Sequence, residues 1–161
     1  MTIRLANHAD LFAISDIYNH YVVHSTATYQ LEPEVIATRV KWFETHGAKH
    51  PITVAVVDDA VVGWGSLSRF HPRSAYDGTV ENSVYVHHAH HRRGVGRAIL
   101  ADLIGRAKAL GHHTIIGLIS ADQEPSVRLH SAFGFVEVAH LKQVGFKFDR
   151  WLDVVYMQLM L

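Results

Sequence analysis

Three stretches of the sequence carry groups suited to chemistry. Arg92-Arg93-Gly94-Val95-Gly96-Arg97 sets two glycines among three arginines at the start of an amphipathic helical pattern. A helix start leaves backbone N–H groups unpaired and carries the positive end of the helix dipole, so such a turn attracts an anion. Gly94 and Gly96 keep Cβ atoms out of the approach, while Arg92, Arg93 and Arg97 add donors at the rim. The same residues also read as a glycine-rich turn with a solvated arginine cluster. No Gly-Lys-Ser/Thr follows for a P-loop, and no third glycine or acidic strand end completes a dinucleotide fingerprint. Upstream, alternation along a strand sends Glu81, Ser83 and Tyr85 to one face and Asn82, Val84 and Val86 to the other. Glu81 there is either a general base, its pKa raised by partial burial, or a salt-bridged strand residue. The third stretch, His87-His88-Ala89-His90-His91, has no metal-ligand spacing on one face and no neighbouring Asp, Glu or Cys. It reads as an exposed loop leading into the anion-binding turn, and no metal is expected.

The elements around these residues define the frame. The chain of 161 residues is long enough for one domain with a real core, here residues 1–161. Ile3 and Leu5 mark a short strand, and a helix follows from Asn7-His8-Ala9-Asp10, with Leu11, Ile14, Ile17, Tyr18 and Tyr21 at helical spacing. A second helix is expected to start near Glu32-Pro33-Glu34, with Pro33 in its first turn and Val35, Ile36, Val40 and Phe43 on one side. Strands over Ile52–Val57 and Val61–Leu67 form a hairpin through Asp58-Asp59-Ala60. A loop from Arg69 to Gly78 leads to the strand Thr79–Val86. Gly94–Leu110 forms a helix closed by Gly111 at the left-handed C′ position. Thr114–Ile119 reads as a strand covered on both faces, followed by a shorter helix, Glu124–Phe133. Two long strands, Phe135–Val144 and Trp151–Leu159, end the chain as an antiparallel pair. The order specifies an α/β fold with a mixed sheet.

Composition excludes several classes. Lys plus Arg and Asp plus Glu both total 15, so no global basic field points to nucleic acid. The absence of cysteine removes thiolate nucleophiles and disulfides. No window of the sequence is apolar enough for a membrane span and the N-terminus lacks an apolar leader core, so a cytoplasmic protein is expected. The 14 histidines predict a solubility that changes as the pH falls through about 6.5.

Taken together, Ser83-Val84-Tyr85-Val86, Arg92-Arg93-Gly94-Val95-Gly96-Arg97-Ala98 and Leu129-His130-Ser131-Ala132-Phe133-Gly134-Phe135 resemble the acetyl-CoA motifs of the GNAT superfamily of N-acetyltransferases. Ile17-Tyr18-Asn19, Arg73-Ser74-Ala75-Tyr76, Thr79–Ser83 and Lys147–Val154 are similar to its branch of phosphinothricin and methionine sulfoximine acetyltransferases. The resemblance spans the whole chain. It implies a splayed mixed, mostly antiparallel sheet flanked by helices, with acetyl-CoA in the V between the fourth and fifth strands. Its pyrophosphate would lie on the Arg92–Arg97 turn, and backbone groups of Val84, Tyr85 and Val86 would hold the pantetheine arm. One departure is His91, where the family usually has Gln or Arg; Arg92 is expected to take over that contact.

The resemblance also implies roles. Glu81 matches the family's general base, acting directly or through water. His130 stands where many members carry a tyrosine acid, and is either the proton donor or a packed, hydrogen-bonded residue. Gln123 and Ser126 open the helix that often touches the cofactor. Arg73, whose fork suits a carboxylate or phosphinate, with Tyr76 and Tyr29, is the substrate candidate set. The implied substrate is a small amine of the phosphinothricin, methionine sulfoximine or methionine sulfone type. Alternatives are another amine (a protein N-terminus, polyamine or antibiotic) and a non-catalytic CoA-binding module. The aromatic, charged segment Lys147–Asp153 is expected at a homodimer contact.

Overall fold

A computed structural model describes all residues, 1–161. Seven strands and four helices alternate in the order β1 (Thr2–Leu5), α1 (Leu11–His24), α2 (Ile36–Glu44), β2 (Ile52–Val57), β3 (Ala60–Arg69), β4 (Thr79–Val86), α3 (Val95–Ala109), β5 (Thr114–Ser120), α4 (Glu124–Ser131), β6 (Val136–Lys147) and β7 (Arg150–Met160). They form one mixed sheet in the order β1-β2-β3-β4-β5-β7-β6. All neighbours are antiparallel except β4 and β5, which run parallel. That pair matches only at Thr79–Thr114, Val80–Ile115 and Glu81–Ile116, after which the strands diverge.

The two sheet faces have separate cores. On one, α3 covers β3 and β4 through Val95, Ile99, Leu100, Leu103 and Ala107, packed with Val62, Leu67, Val80 and Ile115. On the other, Leu11, Ile14 and Ile17 of α1 pack on Ile52, Val54 and Trp64. α3 lies very close to the sheet because β3 carries Gly63 and Gly65. A Cβ on Gly65 would stand 2.5 Å from Ile99 Cγ2 and 2.9 Å from Leu103 Cδ1. The opposite face holds a buried ion pair between Arg39 and Glu34, with the guanidinium 4.4 Å over Trp42 and 4.5 Å over Tyr18.

Local signals explain most of the boundaries. Asn7 and Asp10 form a reciprocal capping box ahead of α1. Asp58 and Asp59 both take positive φ, 48° and 62°, so the β2–β3 turn is of the primed type that matches strand twist. Gly111, at φ 78°, closes α3 as expected. The expected start of α2 near Pro33 is corrected: the helix begins at Ile36. Asn19 takes both backbone groups of Glu34, donating to its carbonyl and accepting from its N–H at 2.9 Å each, and Val35 is extended at ψ 155°. A residue clamped in this way cannot enter a helical turn, so the apolar pattern starts later than it reads. Val35 consequently faces solvent. The expectation that β5 is covered on both faces is also corrected at Leu118, which is 39% exposed and lines a cleft.

The packing of α3 gives a paired stability test. Gly65→Ala should destabilise the fold by about 1–3 kcal/mol through overpacking. Gly105→Ala, on the exposed face of the same helix with nothing near its added Cβ, should stabilise it by about 0.5–1 kcal/mol. Denaturant unfolding of both variants measures the contrast.

Candidate active site

The divergence of β4 and β5 opens a cleft of about 660 Å³ lined from Asn82 to Val86 on one side and Gly117 to Ser120 on the other. Its outer end is closed by His91, Arg92, Gly94, Val95, Gly96 and Arg97, and its far wall by Gln123, Ser126, Leu129 and His130 of α4.

The outer end has the features of an anion site. Gly94 stands before α3 at φ 79°, a left-handed conformation that glycine adopts without strain. The first intrahelical bond of α3 runs from Ala98 N–H to Gly94 O, so the N–H groups of Val95, Gly96 and Arg97 precede it unpaired. The Arg97 guanidinium lies 5.0 Å over the Phe133 ring, which holds it at the mouth of the cleft. Arg93 is exposed and does not line the cleft. The His91 ring is held by hydrogen bonds at the end of β4. Its Nε2 lies 2.8 Å from the Tyr21 hydroxyl, which itself donates to Val86 O at 2.6 Å. The departure at His91 therefore ties the turn to the end of β4, and the cleft's cationic side chains are Arg92 and Arg97.

The inner wall is a free strand edge. His87 N–H bonds Val62 O, which fixes the antiparallel alternation with β3. Tyr85 must then turn its backbone groups toward β3, whereas Val84 and Val86 turn theirs toward the gap left by β5. Tyr85 is corrected on this ground: its peptide is used within the sheet, and the backbone contacts fall to Val84 and to the N–H of Val86.

At the apex of the V, just past the last β4–β5 pair, three residues meet. Asn82 and His130 are 5% and 3% exposed, and Asn82 Nδ2 lies 2.9 Å from His130 Nε2. His130 Nδ1 lies 2.8 Å from Ser126 O. Gly117 faces both, and a Cβ there would stand 3.2 Å from His130 Nε2. Burial holds the His130 pKa below its usual value. An imidazole with Nδ1–H spent on a carbonyl and Nε2 accepting from an amide has no proton to give, which argues against His130 as the acid.

The remaining candidates are dispersed. Glu81 sits at the last paired position of β4, on the face opposite the α3 core, and burial alone pushes its pKa up. Gln123 lines the cleft, but its Nε2 donates to Thr26 Oγ1 at 2.7 Å, so it also anchors the α1–α2 loop. Tyr29 is outside the cleft lining. Its hydroxyl is 2.8 Å from Ser120 Oγ and 3.1 Å from Asp153 O, and its ring covers Gly145, tying the same loop to β5 and β7. Arg73 and Tyr76 lie on the exposed β3–β4 connection, also outside the cleft, with Tyr76 packed against His71 at 4.5 Å between centroids. Sequence reasoning missed the pairing of Asn82 with His130 and the brace from Tyr21 to Val86. No group of three or more His, Asp or Glu side chains is arranged for a metal, and no helix is long and apolar enough to cross a membrane.

These features fit a long anionic ligand with an amide-bearing arm: free amides and arginines at the mouth, an open strand edge along the wall, and a buried unpartnered carbonyl, Asn82 Oδ1, at the apex. The family profile for the acetyltransferase (GNAT) domain matches residues 3–156, and the chain belongs to this family. It is an acetyl-CoA-dependent N-acetyltransferase. Over its full length it is 40% identical to the L-methionine sulfoximine/L-methionine sulfone acetyltransferase of Salmonella typhimurium, covering 95% of that protein. A phosphinothricin acetyltransferase from Sinorhizobium meliloti, solved in complex with acetyl-CoA, superposes with a TM-score of 0.97 at 38% identity, over 99% of this chain and 88% of that one. A ribosomal-protein-alanine N-acetyltransferase from Brucella melitensis matches with the same TM-score and identity over 100% of both chains.

Gly94 gives the direct test of the outer end. Gly94→Ala forces a side chain into the left-handed region at a cost of about 1–2 kcal/mol, so acetyl-CoA affinity should fall roughly tenfold if the turn must keep its shape to bind. Titration calorimetry measures the loss; unchanged affinity would show that the turn does not hold the cofactor.

Proposed function

We propose that this enzyme acetylates the amine of a small amino-acid-like substrate of the methionine sulfoximine, methionine sulfone or phosphinothricin type, with Glu81 as general base. The carrying observation is the state of Glu81: half-buried beside the β4–β5 divergence, with desolvation as the sole cause of its raised pKa. A salt-bridged strand glutamate would have its pKa lowered by a cation, and none is paired with it here. The relatives named for methionine sulfoximine and phosphinothricin support the substrate class.

Bound acetyl-CoA supplies an activated acyl group on a thioester. The chain's own residues supply the rest. Glu81 takes the ammonium proton, directly or through water, so that the amine lone pair is free to attack; the amide C–N bond forms as the thioester C–S bond breaks, and the nitrogen's second proton passes to the departing thiolate. The N–H groups of Val84 and Val86, free on the β4 edge, are the donors available to a developing oxyanion. Because Glu81 and Asn82 leave opposite faces of β4, the acceptor amine and the cofactor arm approach the apex from different sides. Arg73, with no ion pair of its own on the β3–β4 connection, is the proposed partner for the substrate's carboxylate; the adjacent Arg69 is already paired with Asp77 at 2.7 Å. Tyr76 frames that side, and Tyr29 acts by holding the loop over β5.

A second reading keeps the chemistry and changes the acceptor to the N-terminal amine of a protein, favoured by the similarity to the Brucella enzyme named for ribosomal-protein alanine. Homodimer formation is proposed through the β6–β7 hairpin, which leaves Val138, Val144, Phe146, Phe148 and Trp151 exposed. Apolar side chains gathered in this way on one hairpin mark an interaction surface.

Thiol release from acetyl-CoA with methionine sulfoximine, phosphinothricin, an alanine-starting peptide and a polyamine decides between acceptors. The proposal expects the amino acid analogues to give the highest kcat/KM; preference for the peptide would replace it. Glu81→Gln should lower kcat by about 10²–10⁴-fold with acetyl-CoA affinity retained. Since the base works deprotonated and burial raises its pKa, wild-type activity should fall with decreasing pH through a limb lying above the ordinary glutamate range. That limb should vanish in Glu81→Gln. For the dimer, Trp151→Asp with Phe146→Asp should convert a species of twice the chain mass into a monomer in sedimentation.

A further inference from the structure

The Asn82–His130 pair holds more information than a hydrogen bond. Ser126 O can only accept, so His130 Nδ1 carries a proton. The ring is almost fully enclosed, no carboxylate is bonded to it, and burial favours its neutral form. Its Nε2 is therefore a lone pair. Only an N–H can face it, which means that Asn82 presents Nδ2 at 2.9 Å and turns Oδ1 the other way. The reversed amide would place two lone pairs against each other. Chemistry thus sets the orientation of the Asn82 amide.

The consequence is a buried carbonyl oxygen with no partner. Asn82 Oδ1 is inaccessible to solvent and accepts nothing within the protein. It lies 3.3 Å from where a Cβ on Gly117 would stand, so any larger residue at that position would crowd it. Asn82, Gly117 and His130 all line the inner end of the cleft. A desolvated acceptor without a donor is costly to keep, and one carried by a residue that lines a binding cleft is suited to receive a ligand N–H.

We propose that Asn82 is a cofactor-binding residue whose Oδ1 accepts the pantetheine amide N–H nearest the sulfur, and that His130 is the positioning residue locking the Asn82 amide in that orientation. The reacting end of acetyl-CoA offers a carbonyl oxygen and a sulfur, both acceptors, and one donor, the amide N–H two carbons from the sulfur. An acceptor at the apex complements that donor and repels the thioester oxygen, steering the oxygen toward the β4 N–H groups instead. The inference rests on the assignment of the cleft to acetyl-CoA and is independent of the acceptor amine.

Calorimetry with Asn82→Leu and His130→Phe tests it without turnover. Loss of one amide acceptor should weaken acetyl-CoA and CoA alike by about tenfold in Asn82→Leu. Adenosine 3′,5′-bisphosphate, which lacks the arm, should bind as it does to the wild type. His130→Phe keeps a ring but frees the amide, and should weaken acetyl-CoA by a smaller factor in the same ligand-specific way. Its kcat–pH profile should keep the wild-type shape, because no proton from His130 is in use. Four results would overturn the proposal: unchanged acetyl-CoA affinity in Asn82→Leu, weakening confined to CoA, equal weakening of the bisphosphate, or loss of a basic limb in His130→Phe. Failure of every acceptor amine in the release assay would leave these affinities, and the proposal, standing.

Discussion

The early end of the β4–β5 pairing is the constraint on which the site depends. Two parallel strands that stayed in register would bury every backbone group between them. Here the pairing stops at Glu81–Ile116, and the strands part with their C-terminal halves unpaired toward each other. An unsatisfied strand edge inside a domain is unfavourable unless something fills it. The gap is therefore also the binding cleft, and its depth is set by where the ladder stops. The same event places Asn82 and Gly117 opposite one another at the apex and leaves Val84 and Val86 free along the wall. The two following helices, α3 and α4, begin close to where the diverging strands end, so their N-termini and the arginine-bearing turn gather at the mouth.

The thickness of one strand separates the two halves of the chemistry. β4 sends Val80, Asn82, Val84 and Val86 toward α3 and Glu81, Ser83 and Tyr85 toward α1 and α2. In the mechanism we propose, cofactor recognition uses the first set and the free backbone, while proton removal uses the second. On the second side the environment is aromatic and poorly hydrated: Tyr85 stacks on Trp64 at 4.8 Å, and Arg39 is enclosed by Tyr18, Trp42 and Trp64. Such surroundings raise the pKa of a carboxylate that has no cation beside it. Arg39 also ties α2 to the sheet, its guanidinium 5.3 Å over Trp64 of β3, so α2 and the β3–β4 face that carries Glu81 form one packed unit.

Much of this frame is readable from the sequence, and the exceptions have physical reasons. The span Thr79–Val86 of β4 matches the expectation to the residue, and α3 differs by one residue at each end, because a period of two and a period near four are strong local signals and Gly111 supplies an unambiguous stop. The start of α2 was hidden because Asn19, fifteen positions away, captures the Glu34 peptide. No local propensity reports such a clamp. The family motif marks His130 as important but not how it acts. Its protonation state follows from Ser126 and Asn82, and the latter is 48 residues distant. Likewise, the motif points to Val84, Tyr85 and Val86 together, whereas the pairing phase with β3 removes Tyr85. Arg73 and Tyr76 sit on a connection whose shape no periodicity specifies, so their types were legible and their placement was not.

We propose that acetyl-CoA lies along the free β4 edge with its pyrophosphate on the start of α3. Amide hydrogen exchange, resolved by residue and compared with and without CoA, addresses this most directly. Occupation of the cleft should slow exchange at Val84 and Val86 and at Val95 and Gly96, while Tyr85, already bonded to β3, should change little. If CoA instead left the Val84 and Val86 amides at their free rates, or protected Tyr85 more than its neighbours, the placement of the cofactor in the β4–β5 gap would be wrong.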